Sequence, residues 1–149
     1  MQDRQINIFT GAFMLKKIVL PLLVFLGMAF SAVSQENIHF SKECTLSVMV
    51  KSFDANIDFS AEEEEQNTLS VTVHAFSYSD KKMGDFTFTA EKQKDGTYSA
   101  KKQTVQSERN GKTIDVTVSS AKIDLNSRIV KIKFKPGAMP FNITLKSKD

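Results

Sequence analysis

The sequence predicts an all-β protein, folded as a single antiparallel up-and-down barrel of about eight strands. Apolar and polar residues alternate along most of the chain after Gln35, as in strands with one buried face. Asp95-Gly96 and Asn110-Gly111 separate two pairs of such segments, and these dipeptides favour β-hairpin reversals. Short connections leave no room for crossover helices, so consecutive strands pair antiparallel. Closing the sheet removes its edges, which favours a barrel over the alternative, a two-sheet β-sandwich.

A secretory signal peptide is predicted near the N-terminus. Lys16 and Lys17 form its positive region, residues 18–30 its apolar helix, and residues 32–34 the small residues that signal peptidase recognises. Cleavage is then expected before Gln35. The alternative is a membrane anchor, which is less favoured because the apolar run is short and a proline interrupts it.

The signal peptide divides the chain into an N-terminal extension with the leader, residues 1–34, and a β-barrel domain, residues 35–149. Met14 is the predicted start. No cysteine follows the leader at the position of a lipoprotein anchor, so we expect a periplasmic or secreted protein that contacts the membrane only before cleavage. Cleavage lowers the number of basic residues from 20 to 17 and of acidic residues from 17 to 16. This near-neutral balance gives no reason to expect a nucleic acid partner.

The elements of the first half follow from where the alternation stops or changes phase. Phe53-Asp54-Ala55-Asn56 predicts a bend, and the charge of residues 62–67 predicts a turn. The phase changes at Phe76 and Tyr78, which indicates a bulge or a corner. The predicted buried faces comprise Cys44, Leu46, Val48 and Val50, then Ile57 and Phe59, then Leu69, Val71, Val73 and Ala75.

Turns organise the second half. A loop is predicted over residues 80–84, and type I′ reversals at Asp95-Gly96 and Asn110-Gly111, where Asn, Asp and Gly reach a positive φ cheaply. The polar residues 101–106 suit an exposed edge, and Lys135-Pro136-Gly137 ends a strand. The predicted buried faces comprise Phe86, Phe88 and Ala90; Tyr98 and Ala100; Ile114, Val116 and Val118; Ile123 and Leu125; Val130, Ile132 and Phe134; and Phe141, Ile143 and Leu145.

Three short motifs carry a family resemblance. Phe76-Ser77-Tyr78, Met83-Gly84-Asp85-Phe86 and the stretch from Pro136 to Ile143 resemble the small secreted calycin-like (lipocalin-like) envelope proteins of anaerobic gut bacteria. The resemblance extends from about Leu69 to Leu145. It implies an antiparallel barrel and, as in the well-studied calycins, binding of small apolar molecules.

The sequence offers no catalytic or metal-binding constellation. Cys44 is the only cysteine, so an internal disulfide is excluded, and we expect a buried thiol. His39 and His74 are the only histidines, and neither lies in a motif that supplies a nucleophile with its base. We favour a solvated turn over a calcium site for Glu62–Glu65, because consecutive side chains diverge. We therefore expect no enzyme, no catalytic residue, no metal and no cofactor.

Lys131, Lys133 and Lys135 alternate with three apolar residues, which puts three ammonium groups on one strand face. This face is either a patch for an anionic ligand or lipid headgroup, or an outward surface that keeps the barrel soluble. The near-neutral charge of the mature chain favours the second interpretation.

Aromatic side chains give the leading functional hypothesis, a non-enzymatic envelope protein that binds a small apolar molecule. The predicted lining residues are Phe76, Tyr78, Phe86, Phe88 and Tyr98. The alternative is a structural or interaction module with a filled core that binds another envelope or surface protein. Cavity volume separates the two, since a closed pocket of about 300 Å³ or more favours the ligand carrier.

Overall fold

The computed structural model describes residues 36–65 and 67–149. The predicted signal peptide and the domain boundary at residue 35 lie outside this part. Within it no helix has the length and apolar character that crossing a membrane requires. The described chain forms the strands β1 Asn37–Val48, β2 Lys51–Glu65, β3 Thr68–Val73, β4 Phe76–Tyr78, β5 Lys81–Met83, β6 Phe86–Lys92, β7 Tyr98–Ala100, β8 Gln103–Arg109, β9 Lys112–Asp124, β10 Ile129–Pro136 and β11 Ile143–Ser147.

Nine of these strands form one antiparallel sheet in the order β8-β9-β10-β11-β1-β2-β3-β6-β7. The sheet closes because β6 also pairs with β8, and β7 with β9. β7 and β8 pair with β9 in one continuous register. Together they therefore count as one strand of the barrel, which is interrupted at Lys101 and Lys102. The predicted eight-stranded antiparallel barrel is thereby confirmed, and the sandwich alternative is wrong. β4 and β5 form a separate hairpin between β3 and β6.

Inward side chains fill the barrel. Phe86 lies 5.2 Å from Phe134 between ring centroids, and Phe40 lies 5.3 Å from Phe59 near one end. Burying a side chain of this size stabilises the fold by about 1.5–3 kcal/mol. The fully buried side chains include Leu46, Ile57, Phe59, Leu69, Val71, Phe86, Phe88, Ile123, Ile132, Phe134, Ile143 and Leu145, all at positions where the alternation predicts burial.

The two glycine turns differ. Asn110 and Gly111 both have a positive φ, 54° and 72°, which confirms the type I′ reversal between β8 and β9. At Asp95-Gly96 only Gly96 is positive, and the Gln93 N–H donates to the Thr97 carbonyl across a three-residue loop. The prediction of a type I′ turn there is wrong. The Asp95 carboxylate accepts hydrogen bonds from the Thr97 N–H and hydroxyl, which stabilises the longer loop.

Three predictions for the first half are also wrong. The bend at Phe53-Asp54-Ala55-Asn56 lies inside β2, and the chain reverses earlier, at Met49 and Val50. Val50 is 97% exposed, not buried in phase with Cys44. Glu62–Glu65 continue β2 rather than forming a turn. Glu62 follows the outer phase of the strand, whereas Glu63 follows the inner phase at the end of the barrel, where its carboxylate stays exposed and accepts a hydrogen bond from the Tyr98 hydroxyl.

Candidate functional site

Four connections meet at one end of the barrel, called here the upper end. They are the β1–β2 turn, the β4–β5 hairpin, the β8–β9 turn and the β10–β11 loop, because β1, β3, β8 and β10 all run towards this end. The opposite, lower end holds the turns that follow β2, β6 and β9. In barrels of this kind, ligands enter at the mouth formed by such connections.

An apolar groove of about 470 Å³, called here the rim groove, lies between three of these connections. Met49 and Val50 come from the β1–β2 turn, Tyr78 from the β4–β5 hairpin and Phe141 from the β10–β11 loop. Met49 is 69% and Phe141 41% exposed, so apolar surface faces solvent here. The complete lining is Val48, Met49, Val50, Lys51, Phe53, Tyr78, Ser79, Asp80, Lys81, Met139 and Phe141.

Aromatic rings form the floor of the rim groove. The Tyr78 ring centroid lies 6.1 Å from that of Phe53 and 6.0 Å from that of Phe76. Burial raises the pKa of the Tyr78 phenol, which the nearby Arg109 guanidinium partly opposes. Arg109 also donates a hydrogen bond from Nη1 to the Lys82 carbonyl, 3.2 Å away, which ties β8 to the hairpin. The floor is therefore rigid and uncharged.

The β1–β2 turn that borders the groove has an unfavourable sequence. Met49 has a φ of 56°, in the left-handed region that glycine and asparagine reach more cheaply. The β8–β9 turn, at the same end and of the same two-residue length, uses Asn110 and Gly111. Neither local conformation nor solubility explains Met-Val at the β1–β2 turn.

The five predicted lining residues do not come together in one site. Tyr78 borders the rim groove and Phe76 packs beside it, but Phe86 and Phe88 are 1% exposed within the filled interior. Tyr98 starts β7 near the lower end, where its hydroxyl donates to Glu63 Oε2 at 3.1 Å.

Sequence reasoning missed Met49, Val50 and Met139 as lining residues. The available signal was the run Val48-Met49-Val50, which breaks the alternation at the end of a strand. Phe141 was assigned to a buried strand face, but it lies outside β11 and is half-exposed in the loop. Ala75 was assigned to the buried face of β3 and is exposed instead, because the chain leaves the barrel wall after Val73. This departure is the corner that the phase change at Phe76 predicted.

The two histidines meet on the outer wall. Their rings are stacked with centroids 5.6 Å apart, and the Ser60 Oγ lies 2.6 Å from His74 Nε2 and 3.1 Å from His39 Nε2. His74 Nδ1 is 3.6 Å from Asp85 Oδ2, which is too long for a hydrogen bond. Asp85 Oδ1 instead accepts the Ala75 N–H at 2.7 Å.

A hydroxyl, an imidazole and a carboxylate are thus neighbours, and the 2.6 Å between Ser60 Oγ and His74 Nε2 is within the reach of a nucleophile and its base, but the third, orienting contact is not formed. The Ser60 hydroxyl is shared by two imidazoles, and the carboxylate does not orient the His74 ring through a hydrogen bond. Among the described residues no group of three or more His, Cys, Asp or Glu side chains is arranged to hold a metal. These contacts join β1, β2 and the segment after β3.

Cys44 is fully buried, as predicted. Burial raises the pKa of its thiol from 9.0 to about 11. The thiol is therefore protonated at neutral pH, and the side chain acts as a small apolar group.

Neither a protein-family model nor a curated protein matches this chain. Its fold is similar to a crystal structure of a "putative outer membrane protein" from Bacteroides fragilis, with a TM-score of 0.54 and 19% sequence identity. The similarity covers 78% of this chain and 51% of the other, so the chain spans about half the length of the protein that it matches. At this identity the likeness supports the fold alone.

Proposed function

We propose that this chain is a non-enzymatic barrel protein of the bacterial cell envelope that binds a small apolar molecule in the rim groove. The volume of the groove, about 470 Å³, lies within the range of about 300–1,000 Å³ that is typical of ligand pockets. The observation that carries the proposal is the exposed Met49-Val50 turn, where apolar residues occupy positions that a stable, soluble hairpin would give to glycine, at the positive φ of Met49, and to a small polar residue.

The lining suits an apolar ligand of variable shape. Methionine side chains are flexible and polarizable, so Met49 and Met139 can adapt to different partners. Tyr78 and Phe53 offer a flat, rigid floor, and Phe141 covers one side. Lys51 and Lys81 at the margin can interact with a polar or anionic head of the same ligand.

The envelope location that we propose rests on the predicted signal peptide, from which a periplasmic or secreted protein follows. The outer-membrane description of the similar crystal structure agrees with an envelope location, although that likeness shows the fold alone. The calycin-like resemblance agrees with this location, and with it we propose a distant kinship to lipocalin-like carriers in which the ligand site lies at the rim.

The alternative function is an interaction module that binds an envelope or surface protein. The buried aromatic side chains favour it, because Phe59, Phe86, Phe88 and Phe134 occupy the barrel interior where a lipocalin would hold its ligand. In that case the rim groove would accept an apolar side chain of the partner.

Binding of the neutral fluorescent probe N-phenyl-1-naphthylamine to residues 35–149 tests the proposal. We expect saturable fluorescence enhancement, which the double variant Met49→Gly/Val50→Asn abolishes or weakens at least tenfold. The variant should keep the fold and gain stability, since glycine suits the positive φ at the first position of this two-residue turn. Ile129→Asn is the matched control, because it removes an exposed apolar residue from the lower end.

Equal binding by the wild type and the double variant would contradict the rim groove as the site. Native mass spectrometry of the purified protein then separates the two functions. A co-purifying small molecule supports the carrier. A ligand-free protein that also fails to bind the probe supports the interaction module.

A further inference from the structure

Lysines form a continuous row across three neighbouring strands. Lys131 of β10 lies directly opposite Lys122 of β9 on one side and Lys146 of β11 on the other. Lys133 lies two residues further along the same outer face. All four side chains are exposed. Directly opposite residues of an antiparallel pair have Cβ atoms about 4.5–5.5 Å apart, so these ammonium groups share one small area.

This arrangement is unfavourable for the folded barrel by itself. Like charges directly opposite each other destabilise a sheet. Among the described residues no carboxylate forms an ion pair with Lys131, Lys133 or Lys146, and Lys122 reaches only Asp95, at 3.9 Å and in solvent. A surface that merely stayed soluble would place opposite charges or threonines at such positions, as Thr45 opposite Asp54 does on β1 and β2.

The lysine side chains border two hollows on the outer wall. The first, of about 410 Å³, adjoins the β-bulge of β9 between Val118 and Ser120. The second, of about 330 Å³, shares Lys122 and Lys131 with the first and is also lined by one acidic residue, Asp124. The first hollow is lined by Ser120, Ala121, Lys122, Lys131, Lys133 and Thr144.

The near-neutral charge of the domain conceals a separation of charge. Acidic residues concentrate on β2, which carries Asp54, Asp58 and Glu62–Glu65. The lysine row lies on β9 to β11, beyond β1 in the sheet order. The near-neutral net charge therefore does not show that this face only keeps the barrel soluble. A locally positive hollow raises the local concentration of anions.

We propose that the hollow between β9, β10 and β11 binds an anion that carries two or more phosphate groups. Lysine is a common phosphate-binding residue, acting as a point charge with three donors. Lys122, Lys131 and Lys133 offer three such charges, and the Ser120 and Thr144 hydroxyls can donate to further phosphate oxygens. A bound polyphosphate relieves the repulsion within the row. The phosphate groups can belong to a free molecule or to a lipid headgroup.

Isothermal titration of residues 35–149 with tripolyphosphate at low ionic strength tests the proposal. We expect saturable binding that Lys122→Gln/Lys131→Gln/Lys133→Gln weakens at least tenfold. The matched control is Lys82→Gln/Lys102→Gln/Lys112→Gln, which removes the same charge from exposed positions outside the row and should change the affinity less than twofold. Amide chemical-shift changes should cluster at Ser120, Lys131 and Thr144.

Co-sedimentation with vesicles distinguishes the two sources of phosphate. Binding to vesicles that contain cardiolipin, whose headgroup carries two phosphates, but not to phosphatidylcholine vesicles, with loss in the site variant, identifies a lipid headgroup. Binding of tripolyphosphate alone identifies a free molecule. Failure to bind either probe, or an equal loss in both triple variants, would overturn the proposal. Neither result depends on the rim groove, so the two proposals fail independently.

Discussion

Cys44 shows how burial alone controls the chemistry of a side chain. The pKa of the thiol rises from 9.0 to about 11. At pH 8 the folded protein therefore holds roughly 100-fold less thiolate than it would if the thiol were exposed and had its ordinary pKa. We expect labelling by 5,5′-dithiobis(2-nitrobenzoic acid) to be at least that much slower in buffer than in guanidinium chloride.

The same shift predicts a pH dependence of stability. Folding favours the protonated thiol, so its contribution is present below pH 9 and is lost as the pH rises from 9 to about 11. Urea titrations across this pH range should show that the free energy of unfolding falls less steeply with pH for Cys44→Ala than for the wild type. Tyr78 and Tyr98, whose pKa values burial also raises, contribute equally to both proteins. Rapid native labelling at pH 8 would contradict a buried thiol.

Lys131 provides a second test at the level of one residue. Lys131→Glu replaces two repulsive cross-strand pairs, with Lys122 and Lys146, by attractive ones. Such pairs contribute about 0.2–1 kcal/mol each, so we expect the free energy of unfolding to rise by about 1 kcal/mol in low salt. Added salt should reduce the gain. Lys102→Glu, outside the row, should leave stability nearly unchanged. A loss of stability in Lys131→Glu would show that the lysines do not repel.

Individual side chains were predictable from the sequence where they lie within a strand. The alternation assigned Leu46, Val116 and Phe134 to the interior, and all three are fully buried. It failed for Val50 and Phe141, which keep the phase of a buried face but lie beyond the last pair of the ladder. Period-two spacing carries no information about where pairing stops, so the rim groove could not be found this way.

The seam between β6 and β8 is the narrowest pairing of the barrel, at Ser107 and Phe86. Gly84 lies against it, and a Cβ built there would overlap the Glu108 carbonyl oxygen. Gly96→Ala is the control, since its Cβ would meet nothing within 4 Å and its only cost is the positive φ, roughly 1 kcal/mol. We expect Gly84→Ala to destabilise the fold by more than this, because the backbone at Glu108 must move.

Urea denaturation compares the two glycine variants. Equal losses would indicate that the seam opens easily and that β6 and β8 do not hold the barrel closed. Ser107 provides an independent test of the same seam. Its buried hydroxyl has no hydrogen-bond partner within the described chain, so Ser107→Ala should be neutral or slightly stabilising.

Turn chemistry predicted the elements unevenly. Asn110-Gly111 gave both the position and the type of its turn, because both residues favour positive φ. Asp95-Gly96 gave only the position, since the Asp95 side chain selects a longer loop by binding Thr97. Met49-Val50 contains no residue that favours a turn, so the sequence predicts the bend at Phe53-Asp54-Ala55-Asn56 instead. A turn formed against local preference is visible only once the strands on both sides have paired.

For the whole molecule, the number of strands and their order predicted closure, because a sheet of eight antiparallel strands removes its edges by curling. How β7 and β8 share one position of the wall was not predictable, since it depends on β6 and β9 pairing across the interruption at Lys101 and Lys102. The state of the interior was not predictable either. Whether aromatic side chains meet or leave a cavity depends on strand tilt and stagger.

The filled interior itself gives the last prediction. Phe134 is fully buried, and its ring lies 5.2 Å from Phe86. In a packed core Phe134→Ala removes contacts on all sides, and we expect a loss of about 3–5 kcal/mol. Phe141→Ala, at the half-exposed rim, should cost much less while weakening binding of N-phenyl-1-naphthylamine. The opposite pattern, a mild Phe134→Ala with lost probe binding, would mean that ligands enter the interior. Urea denaturation and probe titration of both variants therefore separate stability from binding, because Phe134 belongs to the core and Phe141 to the rim groove.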